Sequence, residues 1–186
     1  MKKILFVIGS TRRHSFNRQL ANRAKVLLEG RAEVEELQFD DVPFVNQDLE
    51  VPVPAAVARV RQSVVEADAL WIFSPEYNLS YPGYLKNLID WLSRPSDPTD
   101  RKSPSVLLGK KVTVSGAGGT YATRKMQDKL SELLSFVGMD VMAGPTTGVS
   151  VGAKAWTTDE LELSASDQEA LKAQAEALLS FVGGSH

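Results

Sequence analysis

Cysteine is missing from this sequence of 186 residues, and histidine occurs only twice, at His14 and His186. The absence of cysteine excludes disulfide bonds, thiolate zinc sites and a cysteine nucleophile, and two histidines cannot by themselves build a histidine-rich metal site. No apolar stretch reaches membrane-spanning length, and the first apolar run is too short for the hydrophobic region of a signal peptide. We therefore expect no metal centre, no membrane segment and a cytoplasmic location.

An excess of charge of either sign is also missing. The chain has 21 Lys and Arg residues against 23 Asp and Glu residues, a net charge of −2. This balance gives no reason to expect nucleic acid or a membrane surface as a partner. The length fits one domain with a substantial core, so we expect a single domain over residues 1–186.

Short apolar runs alternate with helical periods along the chain, which predicts a parallel sheet covered by helices on both faces. The predicted strands are residues 4–8, 34–39, 69–73, 111–114 and a short fifth strand within 139–151. The third strand is nearly all apolar, which favours a central position. The expected fold is a three-layer αβα sandwich with a five-stranded parallel sheet in the order 2-1-3-4-5, in which the loops after the first and third strands converge.

Three helix boundaries carry sequence signals. Ser15 is placed to cap the first helix, and Gly138 is a natural stop after the helix that precedes it. The segment 166–169 has the pattern of a capping box and predicts the start of the last helix.

The first loop (residues 9–17) reads Gly-Ser-Thr-Arg-Arg-His-Ser-Phe-Asn between a buried strand and a helix. Backbone N–H groups at such a turn bind anions, and hydroxyl, amide and guanidinium groups add donors, so the loop predicts a phosphate site. Asn17 is a poor helix former just inside the first turn, which indicates a ligand contact. Either Arg12 or Arg13 can pair with a phosphate in a fork geometry. With Gly9 as its only glycine, the loop does not match a dinucleotide fingerprint.

The second loop (residues 74–83) combines two aromatic residues, two prolines and an amide beside the third strand. The prolines restrict the backbone, so we expect the N–H groups of Glu76, Tyr77 and Asn78 to form a fixed array suited to the edge of a flat heterocycle. Glu76 has no second acid or histidine nearby in sequence to form an acid–base pair. The glycine segment (residues 115–120) follows the fourth strand and permits close backbone approach to a ligand, although it is not a G-x-G-x-x-G motif.

The motifs Gly-Ser-Thr-Arg-x-x-Ser-Phe-Asn at 9–17 and Pro-Glu-Tyr-Asn-x-Ser-x-Pro-Gly at 75–83, the latter continued by Leu-Lys-Asn-x-x-Asp-Trp at 85–91, together resemble the NADPH-dependent FMN reductase family. Relatives of that family include chromate and quinone reductases and some azoreductases. The resemblance covers essentially the whole chain in flavodoxin-like order. It implies an FMN-dependent enzyme that passes hydride from NADPH or NADH through flavin N5 to a small acceptor such as a flavin, quinone, azo compound or metal oxyanion.

The resemblance also implies the cofactor-binding residues, and it needs no catalytic side chain and no metal. The implied set is Ser10, Thr11, Arg12, Ser15, Phe16, Asn17, Pro75, Glu76, Tyr77, Asn78, Ser115, Gly116, Gly118 and Gly119. The first loop would hold the FMN phosphate, the second loop would line the isoalloxazine edge, and the glycine segment would lie near the pyrimidine end and ribityl chain. A homodimer or homotetramer is implied, with residues 82–91 and 94–104 as candidate contacts and core packing as the alternative role of Trp91.

Two alternatives stay open. A flavodoxin-type carrier would hold FMN without its own NAD(P)H turnover, but such carriers are markedly acidic and lack arginine in the phosphate loop. A non-redox nucleotide or phosphosugar module would use the same first loop without flavin. The sequence specifies neither the physiological acceptor, nor the preference between NADPH and NADH, nor the number of subunits.

Overall fold

The computed structural model describes residues 1–184, so His186 lies outside the described residues. Strands and helices alternate through most of the chain, with a short 3₁₀ helix at Gln47–Leu49. The elements are β1 (Lys2–Ile8), α1 (Phe16–Leu28), β2 (Ala32–Glu36), α2 (Ala55–Glu66), β3 (Ala69–Phe73), α3 (Gly83–Leu92), β4 (Lys111–Gly118), α4 (Arg124–Phe136), β5 (Asp140–Val141), β6 (Thr147–Ser150), α5 (Ala153–Thr158) and α6 (Ala165–Gly183). Within residues 1–184, no helix combines the length and apolar character that a membrane crossing requires.

All strand pairs of the sheet are parallel, and the order β2-β1-β3-β4-β5 confirms the predicted topology. Every residue of β3 is buried, as expected for a strand between two neighbours and beneath helices on both faces. The strand count was wrong by one. A sixth strand, β6, pairs with the carboxyl half of β4.

The glycine segment belongs to the sheet for most of its length. We expected the fourth strand to stop at Val114, but β4 continues to Gly118 because Ser115–Gly118 pair with Thr147–Ser150. The predicted fifth strand is divided in two: β5 pairs with the start of β4 and β6 with its end. Residues 115–118 of the glycine segment are therefore part of a paired strand rather than a free loop.

Helix boundaries follow the sequence signals with one exception. Ser15 caps α1 by accepting from Arg18 N at 3.3 Å, as predicted. Gly138 follows α4 with φ +88°, a conformation that favours glycine, also as predicted. The capping box of α6 was misplaced: Ser164 accepts from the N–H of Asp167, whose carboxylate accepts from the N–H of Ser164, so α6 begins before Ser166.

Two apolar layers enclose the sheet because successive side chains of each strand point to opposite faces. Ile4, Phe6 and Ile8 of β1 pack in the layer with α1 and α6, whereas Leu5 and Val7 pack in the layer with α2, α3 and α4. The second strand was expected at residues 34–39 but ends at Glu36. Leu37 and Phe39 lie beyond the end of β2 but are buried in the core. Their apolar side chains continue the alternating pattern of the strand, and the predicted strand was therefore too long at its carboxyl end.

Candidate functional site

The first loop, the second loop and the glycine segment meet at the carboxyl edge of the sheet. Gly9 N donates to Phe73 O at 2.8 Å, and Ser74 N donates to Ser115 O at 3.0 Å. A Cβ added at Gly9 would lie 3.1 Å from Ser74 Oγ, so the first two loops are in close contact. The predicted convergence is confirmed, and it creates one continuous edge of loops as expected of a ligand site in an open α/β sheet.

The first loop presents backbone donors without internal partners. The N–H groups of Ser10, Thr11, Phe16 and Asn17 have no hydrogen-bond acceptor among residues 1–184. Ser10 is only 7% exposed, and its Oγ accepts from Arg12 N at 3.4 Å. Unpaired N–H groups at a turn that opens a helix form an anion-binding arrangement.

The two arginines of the first loop differ sharply. Arg12 Nη1 donates to His14 O at 2.7 Å, and Nη2 forms an ion pair with Asp159. The Arg12 guanidinium also lies 4.8 Å from the centroid of the Phe16 ring. Arg13 is exposed and has no ion-pair partner within the described part of the chain. The structure therefore holds Arg12 in one place, whereas Arg13 projects into solvent.

Asn17 is buried and joins α1 to β4. Its Nδ2 donates to Ala117 O at 3.0 Å, and its Oδ1 accepts from Ala117 N at 2.8 Å. The helix position that indicated a ligand contact is therefore explained at least as well by this pair of bonds. One Nδ2 hydrogen is left for a further acceptor. Of the other residues implied in the first loop, Thr11 is exposed, whereas Phe16 is buried beneath Arg12.

The second loop contains a tight turn at residues 77–80, a few residues after the end of β3. Tyr77 N donates to Ser80 O at 2.8 Å, and Ser80 N donates to Tyr77 O at 3.0 Å. Asn78 and Leu79 between them have φ of 51° and 61°, the conformation of a type I′ hairpin turn. The expected array of three free N–H groups is therefore reduced, since the N–H of Tyr77 is used within the turn. The N–H groups of Glu76 and Asn78 have no acceptor among residues 1–184.

Glu76 connects the second loop to α4. Its Oε2 accepts from Met126 N at 2.9 Å, in the first turn of that helix. Thr123, the residue before α4, has φ +59° and makes no side-chain cap. The Glu76 carboxylate therefore serves as the N-terminal cap of α4 and complements the positive end of the helix dipole.

Two glycines of the glycine segment are required by space. A Cβ at Gly116 would lie 2.4 Å from Thr123 Oγ1 and 2.5 Å from Ser74 O, and a Cβ at Gly118 would lie 2.7 Å from Thr123 Cγ2. At Gly119 an added Cβ would meet no described atom within 4 Å. Gly116 and Gly118 thus allow the turn before α4 to pack directly on β4.

Ser115 is oriented into the core. Trp71 Nε1 donates to Ser115 Oγ at 2.9 Å, and Ser115 Oγ donates to Gln174 Oε1 at 2.8 Å. Gln174 Nε2 in turn donates to Thr113 Oγ1 at 2.8 Å and to Val114 O at 3.0 Å. The hydroxyl implied for cofactor binding is therefore committed to a buried network between the sheet and α6.

The continuation of the second motif on α3 holds the long connection between β2 and α2. Asn87 Nδ2 and Trp91 Nε1 donate to Pro43 O at 2.9 and 2.8 Å. Trp91 is fully buried, so core packing is its role. Tyr84 donates to the carboxylate of Asp40, and burial together with that hydrogen bond raises the pKa of Tyr84 above its ordinary value of 10.0.

Sequence reasoning missed several residues at this edge. Gly148 carried a signal, because glycine in a strand often marks close backbone approach, and a Cβ there would lie 2.2 Å from Ala122 O. Asp159 carried no local signal, since it contacts a residue 147 positions away. Gln174 likewise reaches Ser115 from 59 positions away.

The open space at this edge has charged side chains in its lining, although more of its surface is apolar than polar. A surface cavity of about 450 Å³ lies beside the glycine segment and is lined by Thr120, Tyr121, Ala122, Arg124, Lys125 and Asp128. Arg124 and Lys125 have no ion-pair partner among residues 1–184. In the same residues, no group of three or more His, Cys, Asp or Glu side chains is placed to hold a metal ion.

Comparison with known proteins agrees with the arrangement of these loops. A model of the family described as NADPH-dependent FMN reductase matches residues 2–154. An NAD(P)H-dependent FMN reductase of Pseudomonas aeruginosa is 30% identical over 177 residues, which cover 95% of this chain and 92% of that protein. A 2-hydroxy-1,4-benzoquinone reductase of a Burkholderia species is 34% identical over 144 residues, 77% of this chain and 75% of that protein.

A solved structure supports the same relationship. The flavoenzyme NAD(P)H:(acceptor) oxidoreductase of Paracoccus denitrificans superposes with a TM-score of 0.85 at 30% sequence identity. The superposition covers 98% of this chain and 97% of that protein. The similarity therefore extends over the carboxyl-terminal helix, beyond the residues that the family model matches.

Proposed function

The chain belongs to the NADPH-dependent FMN reductase family, and from that premise we propose that FMN lies along the carboxyl edge of the sheet, across the first loop, the second loop and the glycine segment. The protein is an FMN-dependent NAD(P)H oxidoreductase. The residues that hold the cofactor, and the acceptor that it reduces, are our proposal.

The observation that carries the assignment is the set of unpaired N–H groups in the first loop. Four backbone donors, at Ser10, Thr11, Phe16 and Asn17, have no acceptor among residues 1–184, and the Arg12 guanidinium lies in the same loop. A phosphate monoester supplies the acceptors and the negative charge that such a loop favours. Ser15 and Asn17 contribute by fixing the loop, through the helix cap and the bonds to Ala117.

The second loop and the glycine segment suit the flat ring. Pro75 and the tight turn hold the free N–H groups of Glu76 and Asn78 at the edge of the sheet, and the half-exposed Tyr77 adds an aromatic surface. Gly118 lies beside Glu76, since a Cβ there would be 3.8 Å from Glu76 N. We assign these groups to the isoalloxazine edge, together with the backbone of Gly116 and Gly119. Ser115 stabilises this backbone through its hydrogen bonds in the core.

The chain's own residues orient and bind rather than transfer protons. FMN, when bound, supplies the chemistry of accepting hydride from NAD(P)H and passing electrons to an acceptor. Glu76, the acidic residue of the second loop, is committed to α4 and is not placed as a general acid or base. A site of this kind needs an accessible ring face, and the half-exposed Tyr77 and Leu79 border such a face.

We propose that the cavity beside the glycine segment takes the 2′-phosphate of NADPH, the group that NADH lacks. Arg124 and Lys125 bring two unpaired positive charges, and Tyr121, which is 65% exposed, offers a ring for stacking. The double variant Arg124→Ala/Lys125→Ala should raise KM for NADPH about tenfold, by losing charge-assisted contacts, with KM for NADH nearly unchanged. Equal KM changes for both nucleotides would contradict this assignment.

We propose a small quinone-like acceptor and a homodimer or homotetramer in the cytoplasm. A Burkholderia relative is a 2-hydroxy-1,4-benzoquinone reductase, which supports the acceptor class. For the contact between subunits we favour the groove lined by Tyr81, Lys129, Glu132, Leu133 and Phe136, because Phe136 is 87% exposed. Sedimentation of the wild type and of Phe136→Ser measures this: a lower mass for the variant supports the contact, and an unchanged oligomer removes it.

The test of the function is an absorbance spectrum of the purified protein followed by anaerobic titration with NADPH and NADH. We expect a yellow protein whose flavin absorbance bleaches rapidly on addition of the reduced nucleotide. Bound flavin that bleaches only when a separate reductase is added would indicate an electron carrier. A protein that stays colourless after mixing with FMN would indicate a non-redox nucleotide module.

The test of the site compares the two arginines of the first loop. Arg12→Ala should weaken FMN binding about tenfold or more by removing a charge-assisted contact, and Arg13→Ala is the matched control with little change. Riboflavin, which lacks the phosphate, should bind both variants like the wild type. Unchanged FMN affinity in Arg12→Ala would remove Arg12 from the phosphate site.

A further inference from the structure

The segment between β6 and α6 makes direct contact with the first loop. Asp159 forms an ion pair with Arg12, and Trp156 of α5 places its ring centroid 5.7 Å from the Arg12 guanidinium. The Trp156 ring also meets the Phe16 ring edge-on, at 4.9 Å between centroids. Arg12 is therefore enclosed by an aromatic pair and a carboxylate, although its side chain keeps 38% of its surface exposed.

The backbone of the turn that carries Asp159 is held by α1. Gln19 Nε2 donates to Asp159 O at 2.8 Å, and Gln19 Oε1 accepts from Leu161 N at 2.8 Å. Asp159 N donates to Ala155 O at 2.8 Å, and Asp159 has φ +60°, a conformation that Asp and Asn tolerate better than most residues. The same helix that opens at the phosphate loop thus holds the turn that carries Asp159.

These contacts fix the orientation of a flexible side chain. A free arginine side chain loses conformational entropy when it is immobilised, which weakens any ligand contact that has to order it. The contacts of Arg12 with His14 O, Asp159 and the Phe16 ring order it before a ligand arrives. The contacts of Nη1 with His14 O and of Nη2 with Asp159 leave three of the five guanidinium N–H donors for a phosphate.

We propose that Asp159 is a positioning residue for FMN: its carboxylate holds the Arg12 guanidinium in the orientation that receives the cofactor phosphate. The inference rests on the proposed function of the first loop and goes beyond the family match, which ends at residue 154. Asp159 does not touch the flavin in this assignment. It acts through Arg12 alone, so its effect is confined to ligands that carry the phosphate.

The test measures Kd for FMN and for riboflavin by flavin fluorescence in four proteins: wild type, Asp159→Asn, Arg12→Ala and the double variant. Asn keeps the size of Asp and its tolerance of positive φ. Asp159→Asn should weaken FMN binding about threefold to fivefold, the range of one exposed ion pair, and should leave riboflavin binding unchanged. In the double variant, FMN binding should equal that of Arg12→Ala alone, because Asp159 has then no guanidinium to position.

The matched control is Glu162→Gln, which removes the exposed Lys154–Glu162 ion pair of the same segment without a contact to Arg12. FMN affinity should not change in this variant. Unchanged or tighter FMN binding in Asp159→Asn, or parallel losses for FMN and riboflavin, would overturn the positioning role. Absence of FMN binding in the wild type is a separate result that refutes the proposed function, and it is visible before any variant is made.

Discussion

The two ends of the candidate site are built in different ways; we call them the phosphate end (the first loop) and the ring end (the second loop and the glycine segment), after the parts of FMN that we propose for them. At the phosphate end, side chains fix the loop: the Ser15 cap, the Asn17 bonds to Ala117 and the contacts of Arg12 with Asp159. At the ring end, the backbone is fixed by close packing, because Gly116 and Gly118 leave no room for a Cβ against Thr123. The phosphate end therefore depends on the side chains that are present, whereas the ring end depends on the absence of a side chain at Gly116 and Gly118.

This difference predicts different responses to substitution. Loss of the Arg12 or Asp159 side chain at the phosphate end removes one contact and leaves the fold in place, because both side chains are partly exposed and solvent can replace most of that contact. Addition of one carbon at the ring end forces the backbone of β4 away from α4 and disturbs the core as well as the site.

The largest effect is expected from Gly116→Ala, at the ring end of the site. The new Cβ would lie 2.5 Å from Ser74 O and 2.9 Å from Met126 Cε, so we expect a loss of about 3 kcal/mol or more in the free energy of unfolding. The control is Gly119→Ala, three residues on, where an added Cβ meets no described atom within 4 Å. Urea denaturation should place the control within about 0.5 kcal/mol of the wild type. Similar stability of the two variants would show that β4 moves freely at this point.

Ser115→Ala tests whether the Ser115 hydroxyl serves the core or the cofactor site. Removal of the hydroxyl leaves Trp71 Nε1 and Gln174 Oε1 without their partner in the core, which should cost about 2 kcal/mol of unfolding free energy. FMN affinity, measured by fluorescence titration of the folded variant, should stay the same. Weaker FMN binding with unchanged stability would show that the Ser115 hydroxyl contacts the cofactor.

Glu76→Ala tests the connection between the second loop and α4. Loss of the cap on Met126 N should lower the free energy of unfolding by about 1 kcal/mol. Glu76→Gln keeps an acceptor and loses the charge at the positive end of the helix, so about half of that loss is expected. Thermal unfolding of the three proteins gives the order wild type, Gln, Ala. A different order would mean that Glu76 acts by another contact.

The smallest effect is a pH dependence at Tyr84, outside both ends of the site. Burial and the Asp40 hydrogen bond raise the pKa of Tyr84 above 10.0, so in alkali the unfolded chain loses this proton before the folded chain does. The contribution of Tyr84 is therefore complete below about pH 10 and is lost as the pH rises further. Urea denaturation at about pH 8 and about pH 11 should show a steeper loss for the wild type than for Tyr84→Phe.

The fold followed from the sequence where local patterns carry the information. The apolar runs at residues 4–8 and 69–73 placed the two central strands, and the Ser15 and Gly138 signals placed two helix ends. The end of β4 did not follow, because glycine disfavours a strand by propensity and the pairing with β6 overrides that propensity. Ser115 pairs with Thr147, which lies 32 positions further along the chain, and a local pattern cannot predict a pairing over that distance.

The candidate site followed from the sequence as a set of loops, but the roles of individual side chains did not. A hydroxyl in a ligand loop and a hydroxyl in a buried network look the same in sequence, and only the alternation of β4 turns Ser115 inward. Our proposal of Arg12 rather than Arg13 rests on the contact with Asp159, which lies 147 positions further along the sequence. Long-range partners of this kind have no signature in one sequence.

The bond between Asn17 and Ala117 has a consequence for the order of events during synthesis. The two residues are 100 positions apart, so at about 5–20 residues per second the ribosome needs about 5–20 s after Asn17 to deliver its partner. Asp159 is delivered later still, 147 positions after Arg12. The nascent chain thus carries the complete first loop well before it carries Ala117 and Asp159, so the contacts that hold this loop in place form late in synthesis.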